Sequence, residues 1–438
     1  MSSIARFFGF DKLGTNLRTE IVGGATTFVT MAYIVAVNPG ILAVAMGQEL
    51  FGELVFATCV AAALATLLMG LVANYPFALA PGMGINAFFT FSVVLGMGVR
   101  WEVALAVVFA SGLLFLLLSL VRLREIVINA VPASLKHATA AAIGLFIGFI
   151  GLKNAGVIVS SEATLVAMGP LQTGPVVLAL IGLIATAVLM ARGIKGAILI
   201  GVIGVTVLSM LAGISESPQA LVGAPVWPAH LIGAALTNLH LVFEPAFIAI
   251  IFAFLFVDLV DTMGTFVGVS QRSGFLDADG KLPRANRALM ADSVGTVGGA
   301  LLGTAPVTTY IESASGISEG ARTGFANVIV AILFLLTLFL TPLIEAIPLF
   351  ATTPALIVVG VLMVSSVTRI QWDDVTEAVP AFMTILVMPL TFRIAPGVAA
   401  GIIAYPIIKR LSGRGNEVHI LIDALAIIFI ARYLLLAS

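Results

Sequence analysis

The sequence predicts an all-α polytopic membrane protein of about fourteen transmembrane segments in a 7+7 inverted repeat. Three observations predict it. The 438 residues are 60% hydrophobic and only 10% charged, with a mean hydropathy of +1.16, whereas a soluble domain carries about 25% charged residues. Apolar runs of spanning length recur along the whole chain. Two segments are interrupted, at Ala80-Pro81 and at Ala305-Pro306, in matching places of the two halves.

Residues 1–19 lack the apolar stretch of a cleavable signal peptide. Phe7, Phe8, Phe10 and Leu13 can share one side of a short interfacial helix there. Spanning helices need about 20 mostly apolar residues. They are expected at roughly 20–46, 53–75, 101–121, 137–157, 173–191, 195–213, 243–267, 321–340, 354–368, 375–392, 394–409 and 419–436, with a Gly/Ala-rich helix at 288–304. The stretches FALAPGMGINAFFTF and LLGTAPVTTYIESASG each follow a small-residue helix, extend at Ala-Pro, and resume as a helix too short to cross. Single Gly/Pro kinks are common in membrane helices, but interruptions paired in corresponding positions point to a transport site. Irregular backbone at that depth must be buried in protein or line a cavity. An odd number of segments per half turns the second half upside down.

With the N-terminus in the cytoplasm, all but four of the 21 Lys and Arg fall on the cytoplasmic side, Arg122, Arg124 and Lys281 among them. The exceptions are Arg100, Lys153, Arg393 and Arg432. The loop at 214–242 has no Lys or Arg, which places it outside. The last apolar helix holds Asp423 and Arg432, so it spans or lies in the interface. The net charge of −1 offers no basic field for nucleic acid. A single cysteine, Cys59, excludes an internal disulfide, and His137, His230, His240 and His419 lack zinc spacing. No nucleophile–base pair falls within the spans, which argues against a membrane enzyme.

Few ionisable side chains fall inside spans: Asp258 and Asp261 in FLFVDLVDTMGTF, Asp292 before the second interruption, and Glu312 after it. A mid-membrane Asp costs about 2.5–3.5 kcal/mol on insertion scales, and such residues usually face a polar cavity. Asp258 and Asp261 are three apart and share a helix face. Mutual repulsion and burial both favour protonation, as a proton carrier requires. Either one can instead cap or brace a broken helix. Asp292, beside Ser293 and glycines, reads equally as a contact between repeats. Glu312 follows Thr308, Thr309 and Tyr310, in the first turn of a helix starting near Ile311, where free N–H groups favour negative charge. Asn86 holds the matching place after Gly82 and Gly84. A carboxylate, an amide and the Tyr310 ring suit a planar, uncharged, hydrogen-bonding ligand.

At these residues the sequence resembles nucleobase–cation symporter family two and, within it, the AzgA-like adenine, guanine and hypoxanthine permeases. The matching stretches are NLRTEIVGGATTFVTMAYIVAVNP, APGMGINAFFTF, IGLFIGFIGLKNAG, FLFVDLVDTMGT, TTYIESASGI and VPAFMTILVMPLTF, spread over nearly the whole chain. The resemblance implies short antiparallel β-strands in broken segments 3 and 10. It implies a core domain over 20–130 and 243–345, and a gate domain over 131–215 and 346–411. An N-terminal interfacial segment (1–19), an extracytoplasmic loop (216–242) and a C-terminal apolar helix (412–438) complete the expected organisation.

The resemblance further implies a base bound near the strands and proton symport, with Asp261 and Glu312 as base contacts and Asp258 and Asn86 as further functional residues. Thr308, Thr309 and Tyr310 complete the expected substrate site. The family's uracil branch has a His four residues after the first carboxylate; here that place is Thr265, which favours the purine branch. The expected function is import of a purine base with protons, coupled through Asp258, Asp261 and Glu312, across a plasma (inner) membrane. No cofactor is expected beyond the proton. The expected partners are the base, the lipid bilayer and a second copy paired through the gate domain, with no nucleic acid. The alternatives are another nucleobase, xanthine or uracil, or a small anion on the same fold.

Overall fold

The computed structural model describes residues 3–120, 130–218, 220–273, 275 and 282–435. Arg122, Arg124 and Lys281 lie outside the described residues. Lipid offers no partners to backbone N–H and C=O groups, so apolar runs close their hydrogen bonds as helices. Seven segments precede the 214–242 loop: Leu17–Met46, Gln48–Ala73, Met83–Met97, Trp101–Leu120, Ala133–Ala155, Gly174–Ala191 and Ala197–Leu211. Seven follow: Pro245–Ser273, Ala285–Leu302, the stretch around Ser313–Ser318, Phe325–Glu345, Leu349–Arg369, Val375–Thr391 and Ile394–Leu411. A last helix, Ile420–Leu435, packs along Ile394–Leu411 and buries Ile422, Leu425, Ala426 and Phe429.

The helices pack as two bundles. In one, Ala285–Leu302 lies against Trp101–Leu120 and Phe51–Leu68, and Phe325–Thr337 lies against Leu17–Met31 and Phe51–Leu68. In the other, Ala133–Ala155 is held between Thr353–Val364 and Val375–Thr391, and Val375–Thr391 also packs on Ile394–Leu411. Small residues let these backbones approach. A Cβ on Gly144 would stand 2.6 Å from the Gly360 carbonyl oxygen, and the reverse distance is the same.

Four short strands accompany the helices: β1 (Leu79–Pro81), β2 (Ile158–Ser161), β3 (Leu165–Met168) and β4 (Val307–Thr309). β2 and β3 form a hairpin. β1 and β4 are antiparallel, with Leu79 opposite Thr309, Ala80 opposite Thr308 and Pro81 opposite Val307. They are the extended pieces of the third and tenth segments, as expected. Gly303, at φ +94°, stops the helix Ala285–Leu302 and frees the chain to extend.

The first span, Leu17–Met46, runs as expected but tightens at Ala32–Tyr33, between the helices Leu17–Met31 and Ile34–Met46, where Val35 N and Ala36 N bond three residues back to Ala32 O and Tyr33 O. Further along, Pro39 leaves the Val35 carbonyl without its helical N–H partner. One expectation needs correction: the N-terminal aromatics do not share a side. Gly9, at φ +72°, ends the helix Ser3–Phe8 and turns the chain. Phe8 and Phe10 therefore pack on Phe325, while Phe7 and Leu13 stay exposed.

Candidate substrate site

The β1–β4 ladder is short, so side chains satisfy its flanking groups. Thr66 Oγ1 both accepts from Leu79 N and donates to Leu79 O, each at 2.8 Å. Asn327 Nδ2 reaches the carbonyls of Thr66, Tyr75 and Phe77. Gly82 N donates to Pro306 O and Tyr310 N to Ala78 O, both at 2.9 Å. The Tyr310 hydroxyl donates to Pro81 O at 2.6 Å. These bonds pair much of the backbone where it runs extended among spanning helices, as a buried interruption requires.

Around the ladder the structure brings together Asp261, Thr308, Tyr310 and Glu312. Asp261, on the acidic helix Pro245–Ser273, is hydrogen-bonded to the Thr308 side chain. Glu312 occupies the N-cap position of the short helix Ser313–Ser318, two positions earlier in register than a helix starting at Ile311 would place it, and its side chain makes no capping bond. Tyr310 lies near both acids. Asp261 and Glu312 are partly accessible. No Lys, Arg or His among the described residues pairs with either within 4.0 Å.

Asn86 lies in the helix Met83–Ala87, fully buried. Its Nδ2 donates to Asn38 Oδ1 at 2.9 Å, and Asn38 Nδ2 donates to Thr58 Oγ1 (2.8 Å) and Thr304 Oγ1 (2.9 Å). This chain fixes the Asn86 amide with Oδ1 as the end that accepts nothing from the protein. Thr309 Oγ1 is likewise buried without a protein partner. Unsatisfied buried acceptors are costly and rare, and they suit a ligand with donors.

Asp258 is placed elsewhere. It is 3% exposed, and its Oδ2 lies 3.4 Å from Thr296 Oγ1, whose hydroxyl also reaches Val307 O of β4 at 3.0 Å. One turn along, Thr262 donates to Asp292 Oδ2 at 3.1 Å. The two aspartates of the acidic helix thus divide: Asp261 faces the Thr308–Glu312 group, and Asp258 contacts Ala285–Leu302 behind the strand.

The first span contributes residues that the sequence reading did not single out. At its tightened turn, Tyr33 donates its phenol O–H to Glu312 Oε1 at 2.5 Å. Thr30 Oγ1 lies 3.5 Å from the Glu312 carbonyl oxygen, and Asn38 sets the Asn86 amide. The available signal was Asn38-Pro39 in the middle of an apolar run, with Tyr33 and Thr30 about one and two turns before it.

The two bundles meet beside this group. Ala133–Ala155 of one packs on Met83–Ala87 and on the acidic helix of the other. A Cβ on Gly84 would stand 2.5 Å from Ile143 Cγ2. At one end of the seam Phe392 stacks edge-on with Phe91, Phe146 and Phe149, and Arg393 donates to Gly96 O. At another point Lys195 pairs with Glu319.

Comparison with known proteins agrees with this architecture. The Permease family model for xanthine/uracil permeases matches residues 18–399. The guanine/hypoxanthine permease PbuG of Bacillus subtilis is 46% identical over 437 residues, covering 98% of this chain and 99% of the relative. The adenine permease AdeP of Escherichia coli is 42% identical over 429 residues, covering 98% and 95%. Among solved structures, the transmembrane domain of the cyanobacterial bicarbonate transporter BicA superposes with a TM-score of 0.61 at 18% identity, over 87% of this chain and 97% of that one. That likeness concerns the fold: seven-plus-seven segments divided into core and gate. Matched over most of its length by the family model and over nearly all of it by close relatives, this multi-pass membrane protein belongs to the xanthine/uracil permease family, the nucleobase–ascorbate transporters.

Proposed function

We propose that the protein imports purine nucleobases, guanine, hypoxanthine or adenine, together with protons. One observation carries the reading: Asp261 and Glu312 lie near each other beside the paired strands, with no cationic side chain within 4.0 Å to neutralise them among the described residues. An uncharged base presenting N–H groups suits two carboxylates, the idle Asn86 Oδ1 and the idle Thr309 Oγ1. Relatives named for guanine, hypoxanthine and adenine support the purine class.

In the proposed cycle a proton first joins the acidic group, lowering its negative charge as the base docks. The core (20–130 and 243–345) then moves against the gate (131–215 and 346–411) and exposes the site to the cytoplasm. The membrane potential drives this by about 2.3 kcal/mol per 100 mV for each charge carried. The N-terminus is read as cytoplasmic, from the Lys/Arg bias. Pairing of two copies through the gate would cover part of Gly174–Ala191, whose Ile181, Ile184 and Val188 are exposed.

An anion substrate, as on the fold neighbour, would call for a net positive site; two unneutralised carboxylates disfavour it. The test is uptake of labelled adenine, guanine, hypoxanthine, xanthine, uracil and bicarbonate into proteoliposomes with an imposed pH gradient. Gradient-dependent uptake of a purine is expected. Uptake of bicarbonate alone, or purine uptake indifferent to the gradient, would overturn the reading in its substrate or in its coupling.

A further inference from the structure

We infer that Tyr33 sets the preference among purines by holding one oxygen of Glu312, an inference that rests on the purine reading above. Tyr33 sits where the first span tightens and is 1% exposed. Its backbone carbonyl accepts from Ala36 N and Val37 N, which anchors the residue at the start of Ile34–Met46. Its one hydroxyl proton is committed to Glu312 Oε1 at 2.5 Å, the short distance of a charge-assisted O–H···O bond. Glu312 also takes a hydrogen bond from its own backbone N–H. The carboxylate is therefore fixed in orientation, and Oε1 is engaged before any base arrives.

This matters for bases that differ by one donor. Hypoxanthine offers N1–H next to a carbonyl. Guanine offers the same edge and adds an amine at C2, so its N1–H and N2–H point in parallel at a spacing that a free carboxylate accepts with both oxygens. With one lone pair of Oε1 taken by the phenol, Glu312 meets the base with one engaged oxygen and one free one, and the second of two parallel N–H bonds is the weaker. The extra amine of guanine then contributes little, and the two oxopurines are bound alike. Tyr33 touches the base only through Glu312, so it acts as a positioning residue. Its position in the first span also couples the base contact on the tenth segment to the tightened turn in the first.

The experiment compares guanine and hypoxanthine binding to purified wild-type protein and to Tyr33→Phe, which removes the hydroxyl and keeps the ring. The readout is the ratio of the two dissociation constants, in which any loss of folded protein cancels. Wild type is expected to bind both within about threefold, and Tyr33→Phe to shift the ratio towards guanine by about tenfold, one added charge-assisted bond. A ratio that moves less than about twofold in a folded variant overturns the inference, and a larger shift towards guanine supports it. If Tyr33→Phe does not fold, the wild-type ratio decides: a guanine preference above about threefold would show the amine already clasped and overturn it, while a ratio within about threefold supports it. Failure of wild type to bind either base would instead sink the purine reading.

Discussion

Carboxylates occupy two regions of this molecule under opposite terms. Beside the paired strands, Asp261 and Glu312 are held by hydroxyls: the Thr308 side chain on one, the Tyr33 phenol on the other. Near the C-terminus, Asp374, Glu377 and Glu417 surround Lys409, whose side chain is 1% exposed and lies 2.9 Å from Glu377 and 2.7 Å from Glu417. Arg414 closes the group on Asp374 and Glu417. Where cations neutralise the acids, charge is confined and the role is to hold helices together. Where neutral donors rather than cations attend them, the charge stays available for a proton or a ligand. Residue type is the same in both; the partners separate function from scaffold.

The comparison breaks most sharply at the strands. Glu312→Gln, and separately Asp261→Asn, should lower proton-driven purine uptake by at least about a hundredfold, a loss of roughly 2.7 kcal/mol or more, while thermal unfolding moves little. Uptake near the wild-type level in both would place the coupling elsewhere. The reverse pattern is expected at the scaffold cluster. Lys409→Met leaves Glu377 without its cation while Arg414 still holds Asp374 and Glu417, which should lower the melting temperature measurably, since a largely buried carboxylate is left unpaired. Uptake per folded molecule should persist, and a transport defect without unfolding would blur the distinction.

Two smaller effects sharpen it. Asn38→Leu removes the acceptor that orients Asn86 and should cost about 1–3 kcal/mol in base affinity, seen as a raised half-saturation constant with an unchanged maximal rate. The last prediction concerns pH. Hydrogen bonds from Thr376 and then Arg414 pull Asp374 down to about 2; those from Arg414 and then Lys409 pull Glu417 down to about 2. A depressed carboxyl stabilises the fold fully above its unfolded value near 4, and that contribution fades as pH falls from about 4 to about 2. The melting-temperature difference between wild type and Arg414→Gln should therefore be present at pH 6 and shrink towards pH 2. A gap that widened on acidification would contradict the pairing.

Much of this was legible in the residues. The two Ala-Pro interruptions mark real strands, because Gly and Pro directly encode where a helix must stop. The acids Asp261 and Glu312 stood out because charge within an apolar run is costly. The tightened turn at Ala32–Tyr33 was hidden because its neighbours are apolar and neither residue is a helix breaker. Nor does spacing reveal that Asp258 and Asp261, on one helix, reach different neighbours; that depends on the packing of Ala285–Leu302. Glu20 shows the same limit. It is fully buried, and its carboxylate accepts from Arg322 N and Thr323 N, some 300 residues along the chain. No local pattern announces such a partner.

The pairing of β1 with β4 has a consequence for how the molecule is made. The Tyr310 hydroxyl and the Pro81 carbonyl it reaches are 229 positions apart. At ordinary elongation rates the earlier strand waits about 10–45 s for the later one. During that interval Thr66, from the same half, already serves both backbone groups of Leu79. The Ala78 carbonyl and the Gly82 N–H, which the second half takes up in the finished molecule, wait without their mates, while Thr66 holds Leu79 from within the first half; loss of the Thr66 hydroxyl should therefore be felt first in the yield of inserted protein rather than in the speed of finished molecules.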